Sequence, residues 1–166
     1  MRIGFIGQKG FPATWGGDEV HVDEVARRLA ERGHEGTVFN RRWYAQGASA
    51  AQARLRVVDI PTLRSTSLDA ITHSALSSWA ALSYNLDIVH YQCMGPALPA
   101  LLPRAVGKVV VATIHGFDYR AAKWGALARG VLRVGEFVAL RVPQRTIVVA
   151  RHMQRHYAER GMRTEF

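Results

Sequence analysis

Gly7-Gln8-Lys9-Gly10-Phe11-Pro12-Ala13-Thr14-Trp15-Gly16-Gly17 is the stretch on which the reading of this chain turns. In front of it the apolar run Ile3-Gly4-Phe5-Ile6 predicts a first strand that ends at Gly7. Behind it Val22, Val25, Ala26, Leu29 and Ala30 recur at helical spacing, predicting a helix from about Asp18 to Arg32 that stops at Gly33. A glycine-rich loop between a buried strand and a helix N-terminus collects unpaired backbone N–H groups and the positive end of the helix dipole. That arrangement suits a phosphate. Two familiar phosphate loops do not fit. Gly7-x-x-Gly10 lacks the G-x-G-x-x-G spacing, and no Gly-Lys-Ser/Thr follows, so a dinucleotide fingerprint and a P-loop are both disfavoured. The plain structural alternative is a tight turn before a helix capped by Asp18.

Size and composition bound the rest. With 166 residues, 48% hydrophobic and 21% charged, the chain is expected to be one globular domain with a core that needs no disulfide or metal. Cys93 is the single cysteine, which points to a reducing, cytoplasmic setting and reads as a buried structural thiol. The first strand follows Met1 directly, leaving no room for a signal peptide, and no apolar run is long enough to span a bilayer. The net charge of +9 is uneven. Residues 1–103 hold 10 Lys/Arg against 9 Asp/Glu, whereas residues 104–166 hold 12 against 4. A basic half points to anionic partners, with phosphates, an acidic membrane surface and nucleic acid all open on composition alone.

Along the chain strands alternate with helices. The helix carries Asp23 with Arg27 and Glu24 with Arg28 as i,i+4 pairs on a solvated face. A second strand, Gly36 to Phe39, leads into Arg41-Arg42, and a small-residue loop from Ala45 to Ala53 precedes a third strand, Leu55 to Ile60. Ser67 to Tyr84 reads as a helix with Leu68, Ile71, Ala75, Leu76, Trp79 and Leu82 inward. Leu86 to Tyr91 is a fourth strand, Pro96 to Val106 a short proline-interrupted helix, and the β-branched run Val109 to Ile114 a central parallel strand. A long helix from about Ala126 to Arg141, with Leu127, Val131, Val134 and Val138 inward, precedes a sixth strand at Thr146 to Val149 and a short helix from about His152 to Arg160. The expected fold is α/β, an open parallel sheet with helices on both faces, Rossmann-like. Ligands of such sheets sit at the carboxyl ends of the strands, where Gly16-Gly17, Arg41/Arg42, His90/Tyr91 and His115 to Asp118 should converge.

The runs MRIGFIGQKGFPATWGGDEV, RGHEGTVFNRR, HGFDYRAAKWG and TIVVAR together resemble the N-terminal domain of family-4 glycosyltransferases, nearest the rhamnosyltransferase-like group, over almost all of residues 1–166. The resemblance implies one half of a GT-B fold, the acceptor-side domain, with the donor-binding C-terminal domain absent from this chain. It implies an enzyme that moves a hexose, rhamnose among the candidates, from a sugar nucleotide to a glycan or lipid-linked acceptor with retention at the anomeric carbon. No metal and no cofactor beyond the sugar-nucleotide co-substrate are implied. It places Gly16 and Gly17 against the donor diphosphate and His115, as the catalytic candidate, near the donor sugar. Arg41, Arg42, Tyr91, Asp118 and Lys123 become candidates for binding the acceptor. Asp18 departs from the family, where a hydrophobic residue commonly follows the paired glycines, while Glu19 matches the family's acid. The family's Glu-x7-Glu pair has no counterpart here, so the 166 residues read as an isolated half, expected to be inactive alone.

Competing readings remain at this point. Arg41, Arg42 and Lys123 are equally well explained as surface charge, and His115 as a strand cap. His90 is a weaker acceptor-side candidate, and His21, His34 and His73 carry no signal. His152 and His156 stand i,i+4, but without a third ligand or an H-E-x-x-H pattern a surface pair is the better reading. Arg129, Arg133, Arg141, Arg151, Arg155, Arg160 and Arg163 either form a basic face for peripheral contact with the inner membrane surface or are scattered solvated charge. Nucleic acid is not expected, since no binding motif or aromatic platform is present. The alternatives to a transferase are a non-catalytic α/β module for an anionic ligand, a subunit of a split enzyme, and an NADP-dependent oxidoreductase using Arg41/Arg42.

Overall fold

A computed structural model of the chain describes residues 1–14, 16–44, 53–65 and 68–166. Trp15, Ser67 and the expected loop from Ala45 to Ala53, apart from Ala53 itself, lie outside the described residues. Six strands, β1 (Arg2–Ile6), β2 (Glu35–Arg41), β3 (Leu55–Ile60), β4 (Ile88–Gln92), β5 (Val109–Ile114) and β6 (Arg145–Val148), form one parallel sheet in the order β3-β2-β1-β4-β5-β6. The helices are α1 (Gly17–Glu31), α2 (Leu68–Ser83), α3 (Leu101–Ala105), α4 (Ala126–Arg141) and α5 (Arg151–Ala158), with 3-10 turns at Leu98–Ala100 and Asp118–Arg120.

Because successive strand residues face opposite sides of a sheet, each strand divides its apolar residues between two cores. Ile3, Phe5 and Val38 join Val22, Ala26 and Ala30 of α1 on one face. Ile6, Phe39, Val110, Ala112 and Ile114 join Ala81 of α2, Ala139 of α4 and Met153 and Tyr157 of α5 on the other. The strand order changes direction between β1 and β4, so their carboxyl ends diverge and leave a crevice. Helix α1 ends at Gly33, whose φ of +85° lets the N–H groups of Gly33 and His34 return to the carbonyls of Ala30 and Leu29. The surface pairs Asp23–Arg27 and Glu24–Arg28 form as the spacing predicts.

Two helices are rotated from the expected orientation. In α2 the face against the sheet is Asp69, His73, Ser74, Ser77, Ser78 and Ala81, while Leu68, Ile71, Leu76 and Trp79 stand exposed, Trp79 at 68%. Small side chains let the helix lie close, and the hydroxyls of Ser74 and Ser78 are paired, while the buried Ser77 hydroxyl has no partner among the described residues. Ser74 and Ser78 donate back to the carbonyls of Ala70 and Ser74, and the Ser78 hydroxyl shares a 2.6 Å hydrogen bond with Tyr91. In α4, Gly135 and Ala139 face inward and Leu127 and Val134 outward. A Cβ on Gly135 would lie 2.5 Å from the Met94 carbonyl oxygen, which explains why the smallest residue takes the contact.

His73 is fully buried and its Nε2–H donates to the Phe39 carbonyl at 3.0 Å. Burial, with Arg41 nearby, pushes its pKa down to about 4. The folded state therefore refuses a proton that the unfolded chain accepts below about pH 6.5. Stability is complete above that pH and drains as the pH falls towards 4, by about 3 kcal/mol in all. Denaturant midpoints measured from pH 7 to 4.5 should fall in wild type. In His73→Gln, whose amide can still donate to Phe39, the fall should be flatter, and an identical slope in the two proteins would refute the assignment.

Candidate active site

The loop after β1 is tied down on both sides. The Gln8 amide donates to the Phe39 carbonyl at 2.8 Å and that of Asn40 to the Phe11 carbonyl at 2.9 Å. Two carboxylates of α1 take loop N–H groups: Glu19 from Lys9 at 3.3 Å and Asp23 from Ala13 at 2.8 Å. The cap of α1 is Gly16 itself, with φ of +102° and no side-chain cap, so Asp18 does not have the capping role that the sequence offered for it. A Cβ at position 16 would sit 2.0 Å from a Glu19 carboxylate oxygen, whereas Gly17 opens onto empty space. The start of α1 thus presents bare backbone.

Asp18, released from capping, turns to residues that follow β4 and β5. Its Oδ2 accepts from the Cys93 thiol at 3.1 Å, and its Oδ1 lies 3.3 Å from His115 Nδ1. Gln92, the last residue of β4, is 1% exposed and its Oε1 lies 2.9 Å from His115 Nε2. His21, one turn along α1 from Asp18, meets the His115 ring edge-on with centroids 4.9 Å apart. His90, buried beneath, bonds the Thr113 hydroxyl at 2.8 Å.

Electrostatics here are dominated by desolvation. Burial pushes the pKa of His90 down to about 3, helped by His21 and His115. His115 and His21 are lowered by burial and pulled back up by Asp18. Asp118 is raised to about 6 by burial and by Asp18, so it holds a proton further towards neutrality than an ordinary carboxyl. The Cys93 thiol is raised by burial and then by Asp18 and Asp118.

Asp18, Cys93 and Asp118 of this group line a cleft of about 710 Å³ at the carboxyl edge of the sheet. Asp18, Glu19, Cys93 and Asp118 give it a polar wall, Leu68, Ile71, Leu127 and Val131 an apolar one, and Lys123 a cation. The exposed apolar residues of α2 and α4 thus partly find their place here. Of the residues expected from the sequence, Asp118 and Lys123 line the cleft, whereas Gly16, Gly17 and His115 lie outside its lining, the glycines just before Asp18 in the chain and His115 in contact with it. Arg41 also lines it, but its guanidinium is 8% exposed and donates to Asp69 and to the Gly7 carbonyl. Tyr91 is fully buried with its hydroxyl on Ser78, which closes it to an acceptor. Arg42 is exposed and outside the cleft lining. His156 receives Arg160 at 2.7 Å and packs on Phe117. The arginines of the basic half are in part stacked on aromatic faces: Arg120 on Phe117 at 4.2 Å, Arg133 on Tyr119 at 5.7 Å and Arg141 on Phe137 at 5.2 Å. Sequence reading gave Cys93 only a structural role, found no signal in His21 and did not single out Gln92. Their one signal was position, at a strand's carboxyl end or one turn into α1.

A parallel sheet in this order, with a cleft at its carboxyl edge beside a glycine-opened helix, defines a Rossmann-like α/β domain. Sucrose-phosphate synthase from Thermosynechococcus elongatus superposes with a TM-score of 0.75 at 16% identity, over 99% of this chain and 46% of that one. Os79 from O. sativa in complex with UDP gives 0.60 at 14% identity, over 89% and 46%. CalG4, the calicheamicin glycosyltransferase, gives 0.55 at 18% identity, also over 89% and 46%. The chain spans about half the length of these structures. The profile described as Glycosyltransferase Family 4 matches residues 15–165, and the chain belongs to that family. No curated protein matches it in sequence. No helix among the described residues is long and apolar enough to cross a membrane.

Proposed function

We propose that residues 1–166 are the N-terminal, acceptor-side domain of a retaining, sugar-nucleotide-dependent glycosyltransferase whose donor-binding domain lies outside this sequence. The observation that carries this reading is the contact of His115 with Asp18, which follows the bare α1 start at Gly16-Gly17 and lines the cleft, within a chain of this family. The transfer forms a bond from an acceptor oxygen to the anomeric carbon of a hexose, with rhamnose a candidate, and breaks the bond to the nucleoside diphosphate. The α1 N–H groups would meet the negative charge on the leaving diphosphate. His115, held by Gln92 and His21, would hydrogen-bond the donor sugar.

The two-sided cleft supports a lipid-linked glycan as acceptor. Its phosphate would meet Lys123, its apolar portion Leu68, Ile71 and Leu127, and a hydroxyl Asp118. Exposed Trp79, Leu101, Leu102 and Val106 on α2 and α3, with Arg104 beside them, support peripheral contact at the inner membrane face. Co-sedimentation of the full-length protein with anionic vesicles, lost at high salt, checks that contact.

The test of the transferase reading uses the full-length protein with a panel of nucleotide sugars and a lipid-diphosphate acceptor, the product anomer being read by NMR. Gly17→Leu gives the sharp variant because position 17 faces open space. We expect an unchanged melting temperature and at least about tenfold weaker donor use, as a side chain displaces the diphosphate. Full activity in Gly17→Leu would remove the diphosphate from this loop. Anion binding with no transfer from any donor would leave a non-catalytic module or one subunit of a split enzyme.

A further inference from the structure

The cluster at Asp18 contains more than a hydrogen-bonded carboxylate. One ligand atom each from Asp18, Cys93 and His115 can be chosen so that all three lie within 4.8 Å of one another. The two contacts use different oxygens of one carboxylate, 3.3 Å from Asp18 Oδ1 to His115 Nδ1 and 3.1 Å from Asp18 Oδ2 to Cys93 Sγ, each close to the donor separations of about 3.2–3.8 Å in a tetrahedral zinc site. The supporting residue is also present. With its amide oxygen on His115 Nε2, Gln92 fixes the imidazole proton there and turns the Nδ1 lone pair onto the Asp18 carboxylate. Two lone pairs then face each other and call for a cation between them. The Gln92 amide nitrogen, in a side chain 1% exposed, has no partner of its own. Each donor also comes from a fixed element: the first turn of α1 and the residues just after β4 and β5.

We propose that Asp18, Cys93 and His115 form a three-ligand site for a borderline divalent cation of the Zn²⁺ class, with its fourth position open to the cleft. The mixed sulfur, nitrogen and oxygen set selects such an ion over Mg²⁺ or Ca²⁺, which take oxygen ligands. This runs against the sequence expectation of no metal. The inference does not depend on glycosyl transfer: Gln92 already holds Nε2, so an ion on Nδ1 leaves His115 no nitrogen for a donor sugar, and the ion-bound and sugar-bound states exclude each other.

The test is direct binding. Metal-free full-length protein is titrated with Zn²⁺ against a chromophoric chelator, and separately with Co²⁺ while the near-ultraviolet thiolate-to-cobalt band is followed. We expect one ion per chain at this site and a cobalt band that Cys93→Ser abolishes. Zinc affinity should fall at least about tenfold in Cys93→Ser, Asp18→Asn and Asp18→Phe, and stay unchanged in His156→Ala. Melting curves show which variants fold, and the two Asp18 variants decide the question if Cys93→Ser does not. Uptake that survives all three substitutions would place the metal elsewhere and overturn the proposal. So would no uptake by the wild type, in which case a proton, not a metal, lies between His115 and Asp18.

Discussion

His115→Ala in the full-length enzyme is expected to lower kcat by about 10²–10³-fold, the usual cost of deleting one preorganised polar contact to the transition state. The expectation rests on how little freedom the ring has. Its Nε2 is held by Gln92 at 2.9 Å, its edge rests on His21, and its side chain is 12% exposed, so its orientation is set before substrate arrives. A group fixed in this way contributes to kcat more than to ground-state binding, and KM for the donor should move less than kcat. The Ala variant deletes a partly exposed ring without opening either core, so its melting temperature should stay close to wild type. Unchanged kcat in a folded His115→Ala protein would return this histidine to a structural role at the end of β5.

Arg41→Met should be the most destabilising single change near the cleft. The guanidinium lies 2.5 Å from Asp69, both side chains are 8% exposed, and Asp69 also accepts from the Trp43 indole at 3.1 Å. Removing the cation leaves a buried carboxylate with no counter-charge, a loss of about 3–5 kcal/mol. Replacing both partners with apolar residues of similar size, in Arg41→Met/Asp69→Leu, should recover most of that loss, because the pair's attraction and its desolvation cost nearly cancel. Denaturant unfolding followed by tryptophan fluorescence gives both numbers. If the single variant were as stable as wild type, Arg41 would be free of Asp69 and available to an acceptor, as its sequence position first suggested.

That reversal for Arg41 shows where the sequence stops being informative. Two arginines after a strand at the carboxyl edge of a sheet read as neighbours of a ligand site, and of the two Arg41 lines the cleft while Arg42 does not. Nothing local says that Asp69, 28 residues on, will claim one of them. The same holds for Tyr91, whose place at the tip of β4 is right but whose hydroxyl is taken by Ser78 from α2. In α2 and α4 the period was legible and the phase was not. Counting large apolar residues picks the wrong face when the closest helix-to-sheet contacts demand Ser, Ala and Gly, and the larger side chains are left for the cleft and the outer surface.

By itself the sequence determined the alternation of strands and helices, with most boundaries within two residues, and the set of residues brought to the carboxyl ends of the strands. Those follow from short-range causes: β-branched runs, helical periodicity, and glycine and proline at the breaks. Only the tertiary structure decided which polar groups are free and which are used. Residues 18, 93 and 115 become one cluster because β1, β4 and β5 lie side by side in the sheet, a pairing set by long-range packing that no local window of sequence contains.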